Sequence, residues 1–158
     1  MTAIKNTAGG GHGVPQIIAQ SAVSSSVTGT LAETTLATIA LPALQANSIV
    51  RITHDHTFTN NADTKTITAR INGTSVGAYN IASNATSSMQ RRLANRNSKS
   101  SQLVTPATAG TSFGSSTSGY LTATIDTSVP TTLTLTGTLA NAADTITLES
   151  YIVEVLNP

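Results

Sequence analysis

Residues 48–58 read SIVRITHDHTF, and this stretch decides the fold class. Val50, Ile52, His54, His56 and Phe58 fall on one side of an extended chain, with Ile49, Arg51, Thr53 and Asp55 on the other. A strand turns successive side chains to opposite faces, whereas a helix repeats its apolar positions three and four residues apart. The period of two is that of a strand with one face in a core and one face wet. The same period continues in both directions. Residues 34–41 place Ala37, Ile39 and Leu41 together before Pro42 ends the run, and residues 64–72 set Ile67, Ala69 and Ile71 against Thr66, Thr68 and Arg70. Residues 120–126 alternate around Leu121, Ala123 and Ile125, and 131–139 around Leu133, Leu135 and Leu139, while 145–156 reads as a long last strand.

Weaker extended segments at 23–30, 74–81 and 88–96 bring the expected total to roughly eight or nine strands, the spacing of a sandwich or barrel. Residues 88–96 also fit a short helix, because Met89, Arg92 and Leu93 share that period. The segment 106–119, rich in Gly, Ser and Thr, reads as a loop. The expected fold class is all-β: an antiparallel, jelly-roll-like β-sandwich. The glycine cluster at 9–13 and Pro15 mark residues 1–20 as an extended N-terminal arm, with one sandwich domain over 21–158. Short pieces recur: TGTLA at 28–32 and 136–140, and NNADTKTIT at 60–68 beside NAADTIT at 141–147. Asn and Asp there sit between alternating runs, where their side chains bond nearby backbone and tolerate a tight turn.

Composition narrows the function. Charged residues are 9% and aromatic residues 3% of the chain, against roughly a quarter charged in ordinary soluble domains. No cysteine is present, so neither disulfides nor thiolate metal sites contribute. The first residues lack a signal-peptide pattern and no apolar run is long enough to span a bilayer, so no membrane partner is expected. Charge is segregated along the chain. Residues 64–125 hold Lys65, Arg70, Arg91, Arg92, Arg96 and Lys99 and no acid, and 126–158 hold Asp126, Asp144, Glu149 and Glu154 and no base. Either these groups pair within one chain, or the basic middle of one copy meets the acidic end of another. In the second case Arg91, Arg92, Arg96, Lys99, Asp144, Glu149 and Glu154 form the interface and fix its register.

His54, Asp55 and His56 are the one local set of ligand types. On a strand the histidines share a face while Asp55 points away, so His54 and His56 are the candidates for a shared metal, completed by a third ligand or a ring of copies around a trimer axis. Two ordinary sheet histidines account for the same pattern, and no metal or cofactor is assigned. There is no nucleophile elbow, no clustered acid pair and no phosphate loop behind the glycine run, so the reading is non-enzymatic. The basic run RRLANRNSKS at 91–100 lacks interleaved aromatic residues, and no nucleic-acid partner is expected.

Several short motifs in order carry a resemblance: Arg51-Ile52-Thr53, Phe58-Thr59-Asn60, Lys65-Thr66, Asn72-Gly73-Thr74 and Asn95-Arg96-Asn97-Ser98, after the opening VTGTLAETTLATIALPA at 27–43. Together they resemble a group of bacteriophage virion structural proteins of jelly-roll-like decoration, head-fibre or tail type. Where such proteins often carry a Trp after the Arg-Ile-Thr strand, this chain has His54, Asp55 and His56. The resemblance implies a capsid decoration (cement) or head-spike protein, made in the host bacterial cytoplasm and located on the virion. Its partners would be further copies of itself, a trimer favoured, and a major capsid or tail protein. The alternative is a tail-fibre or tail-tip component that binds a receptor carbohydrate.

Overall fold

The computed structural model describes residues 14–104 and 119–158. Eleven strands form among them and no helix: β1 (Gln16–Ser21), β2 (Ser25–Thr28), β3 (Thr34–Leu41), β4 (Ile49–Phe58), β5 (Lys65–Ile71), β6 (Thr74–Ile81), β7 (Thr86–Asn95), β8 (Gln102–Val104), β9 (Leu121–Ala123), β10 (Thr131–Leu139) and β11 (Thr145–Leu156). A seven-stranded sheet runs β1-β11-β4-β7-β8-β9, with β2 also on β11, and a four-stranded sheet runs β3-β10-β5-β6. Each of the nine strand pairs is antiparallel. The expected all-β, jelly-roll-like sandwich is the observed one. Its core lies where Ile39, Leu41, Ile67, Ile71, Leu133 and Leu135 of the smaller sheet meet Val50, Ile52, Leu93, Ile146, Leu148, Val153 and Val155 of the larger. Each fully buried aliphatic side chain of this kind contributes about 1.5–3 kcal/mol.

The strands beyond the expected eight or nine are β1 and β8, both short. β1 takes Gln16 to Gln20 out of the expected arm and into the sheet, Gln16 facing Val155 and Gln20 facing Ile152. Ile18 and Ala19 pack against the core there. Residues 1–13 of the arm, and the loop expected over 106–119 apart from Gly119, lie outside the described residues. The helical alternative for 88–96 is overturned: β7 pairs with β4 from Thr86 to Ala94, which puts Met89, Arg91 and Leu93 inward together.

Bulges account for the places where simple alternation misreads a face. In β3 the register passes from Ala37 to Thr35, leaving Leu36 as the extra residue, and Leu36 is buried while Ala37 is only half-buried. In β11 the extra residue is Glu149 and in β6 it is Val76. An inserted residue of this kind turns the following side chain to the other face. The β5–β6 connection is a two-residue hairpin, Asn72 at φ 47° and Gly73 at φ 80°. Both central residues of that turn type need positive φ, and Asn-Gly supplies them.

Candidate functional site

Among the described residues, two buried clusters of ionisable side chains lie inside the sandwich. The first is at the pole where the β4–β5 and β10–β11 turns meet, so the two similar motifs of the sequence are brought side by side. Lys65 and Asp144 are 1% and 2% exposed, with Lys65 Nζ 3.1 Å from Asp144 Oδ2. Lys65 Nζ also donates to Asn61 Oδ1 and to the Asp63 carbonyl at 2.8 Å. Asn61 Nδ2 donates to Asp144 Oδ1 at 2.7 Å, and Asn141 Nδ2 to Asp63 Oδ2 at 2.8 Å. The ammonium thus sits among oxygen acceptors from both turns. A buried ion pair holds only when its remaining donors and acceptors are satisfied in this way, and the cluster clamps the two sheets at one end.

The second cluster is built by β4 and β7. His54 and His56 are each 1% exposed, on the face that alternation assigns to them. Their Nδ1 atoms lie 3.4 Å apart and their rings meet edge to face, with His56 stacked on Phe58. Burial holds His54 well below the ordinary imidazole range, and the charges of His56 and Arg91 push the same way. Burial lowers His56 to about 4, with Asp55 opposing. Arg91 is 1% exposed and passes beneath β6, its guanidinium carbon 5.5 Å from the centre of the Tyr79 ring. A Cβ on Gly77 would come within 2.6 Å of Arg91 Cδ, so glycine is what lets the arginine pass. Burial also lowers the Arg91 guanidinium, with Tyr79 opposing.

These positions correct the expected interface. Arg91 and Asp144 are enclosed within one chain, where a partner copy cannot reach them. Glu154 meets Arg51 of the same chain at 3.2 Å, and Glu149 accepts from Thr57 Oγ1 at 2.6 Å. The segregated charges are therefore joined in part within the monomer, Lys65 to Asp144 above all. Arg92, Arg96 and Lys99 are exposed. The idea of a metal ring is corrected likewise, because buried His54 and His56 cannot converge with their copies on an axis. Among the described residues no group of three His, Cys, Asp or Glu side chains is placed to hold a metal ion.

Alternation had no means of finding Arg91 as a core residue, since it treats charge as a sign of solvent. Gly77 in the facing strand was the available signal. A third network went unread. Asn95 Nδ2 donates to the Gln45 carbonyl at 2.7 Å and to Thr127 Oγ1 at 2.9 Å, while Gln102 bonds Asn95, Lys99 and both polar atoms of the Ile125 backbone. The motif Asn95-Arg96-Asn97-Ser98 and the nearby Gln102 thus tie β7, β8 and the segment after β9 together.

The chain matches no protein-family model, and no curated protein matches it. Among solved structures, the CBM36-1 domain of a multidomain xylanase from the hindgut metagenome of Trinervitermes trinervoides aligns over 85% of this chain and 96% of its own, at 8% identity and a TM-score of 0.41. Dimeric latent PorU from Porphyromonas gingivalis aligns over 96% of this chain at 11% identity and a TM-score of 0.39, and the chain spans 14% of its length. The sandwich assignment rests on the strand pairing itself.

Proposed function

We propose that this chain is a non-enzymatic structural protein of a bacteriophage particle, a capsid decoration (cement) or head-spike protein working as a homo-oligomer, with a trimer favoured. The observation that carries the reading is where the resembling motifs fall. Lys65 is the clamp between the two turns, Asn72-Gly73 is the β5–β6 hairpin, and Asn95 is the hub of the third network. The motifs that carry the resemblance are thus ones that shape and lock this sandwich. The ionisable side chains of the two clusters are buried, Lys65 against Asp144 and His54 against His56, which supports the non-enzymatic part.

Labelled protein should locate to the surface of intact particles imaged by electron microscopy. Deleting residues 1–13, which spares β1, should abolish attachment and leave the sandwich's melting unchanged. Normal incorporation of the truncated protein would remove the arm from the proposal. Location at the tail tip together with binding on a glycan array would replace it by the carbohydrate-binding reading.

A further inference from the structure

At the pole of the two turns an amine, a carboxamide and a carboxylate stand in mutual contact. Lys65 Nζ donates to Asn61 Oδ1 and lies 3.1 Å from Asp144 Oδ2. The carboxylate spans the other two groups, because its Oδ1 accepts from Asn61 Nδ2 at 2.7 Å. Asp144 Oδ2 has no hydrogen-bond partner among the described residues, which leaves it to the Lys65 nitrogen. The Asp63 N–H donates to Asn61 Oδ1 at 3.1 Å. Lys65 and Asp144 are 1% and 2% exposed, so water is kept from both.

These are the parts of an amide exchange. Lysine attacks a carbonyl carbon as the uncharged amine, and a buried ion pair gives up its charges readily because both ions have already lost their hydration. Asn61 Cγ is one C=O bond, at most about 1.2 Å, farther from Nζ than the oxygen that Nζ touches. Holding the reacting atoms together in this way replaces the cost of bringing them together. The Asp63 N–H points at the oxygen on which negative charge develops during attack. Asp144 reaches both the nitrogen that loses a proton and the nitrogen that must gain one, the position of a general acid–base. Attack on Asp144 itself is the poorer route. It would leave the Asn61 amide as the group between amine and carboxyl, and an amide is no proton carrier.

We propose that Lys65 and Asn61 join in an intramolecular isopeptide bond. Lys65 passes one proton to Asp144, and the free amine attacks Asn61 Cγ. The Nζ–Cγ bond forms and the Cγ–Nδ2 bond breaks. Nδ2 takes the proton from Asp144 and leaves as ammonia, while a second proton from Nζ returns Asp144 to its neutral form. An amide and a protonated carboxyl then stand where two buried ions stood, and the reaction draws on no oxidant or cofactor. The ion pair is the state before the bond closes.

The intact mass of the purified full chain, measured after unfolding, tests this. It should fall short of the sequence mass by one ammonia. Trypsin should leave residues 52–70 as one peptide, uncut at Lys65 and short by the same ammonia. Lys65→Arg removes the nucleophile and Asp144→Asn the proton carrier, so each folded variant should show its full sequence mass. If neither variant folds, the native mass and the native peptide decide the matter. Four results would overturn the bond: a native chain at full mass, loss of water with Lys65 linked to Asp144, loss of ammonia with Lys65 still cleaved (a cyclic imide at Asn61), or a folded Asp144→Asn variant that still sheds ammonia.

Discussion

His56 ties the stability of the sandwich to pH. Its folded value is about 4 against an ordinary 6.5, so the folded state binds fewer protons than the unfolded one between those limits. The associated stability is complete above pH 6.5 and is lost as pH falls through the window to about 4. A depression of that size corresponds to about 3 kcal/mol. Urea unfolding at steps between pH 7.5 and 4 should show this decline, and His56→Phe should reduce it, buried His54 supplying what remains; an unchanged slope in the variant would exclude His56 as a source. Lys65 acts through its buried ion pair with Asp144. Lys65→Met would strand Asp144 in the core and cost about 3–5 kcal/mol, whereas Lys65→Met with Asp144→Leu should recover part of that loss. Denaturant midpoints of the two variants check the order; a single variant as stable as the native chain would mean that the clamp contributes nothing.

Among the elements, β4, β5, β10 and β11 were legible because buried apolar positions recur every second residue over most of each, between Thr and charged neighbours. β7 was ambiguous because Arg91 stands at an inward position, so its buried face does not look buried. Leu36 and Glu149 could not be placed, since a bulge depends on the partner strand's register and not on the residue that bulges. The Lys65 clamp left a trace in the repeated NNADTKT and NAADT motifs, but what joins them is a contact across 79 positions of chain. Gly137 was equally silent. A Cβ there would stand 3.0 Å from Val27 Cγ1 and 3.2 Å from Ile146 Cδ1. Replacing glycine by alanine in a strand gains about 0.4–1 kcal/mol through the unfolded chain, but overpacking a core costs about 1–3 kcal/mol. Gly137→Ala should therefore destabilise, as a lower melting temperature, and a gain in Tm would show that β2 yields instead.

For the whole molecule, Arg92, Arg96 and Lys99 are the basic residues of the expected interface that stay exposed, while Arg91 and Asp144 are buried. Reversing Arg96 and Lys99 to Glu should leave the unfolding free energy of the monomer within about 1 kcal/mol, in keeping with substitutions on a surface. If the homo-oligomer uses this basic patch, the same variant should shift the mass measured by light scattering toward the monomer; an unchanged mass would place the contact elsewhere. The pairing of β1 with β11 has a consequence of another kind. Gln16 lies beside Val155, so the backbone enters and leaves the sandwich at one pole, and the Lys65 clamp closes the other. A short linker from Asn157 to Val14 would circularise the domain, and a new opening in the exposed 82–85 connection would yield a permuted chain. That rearranged order would aim fusion partners from the pole of the Lys65 clamp, where Ser83 N–H donates to the Asn61 carbonyl, leaving the pole of β1 free to touch whatever it touches.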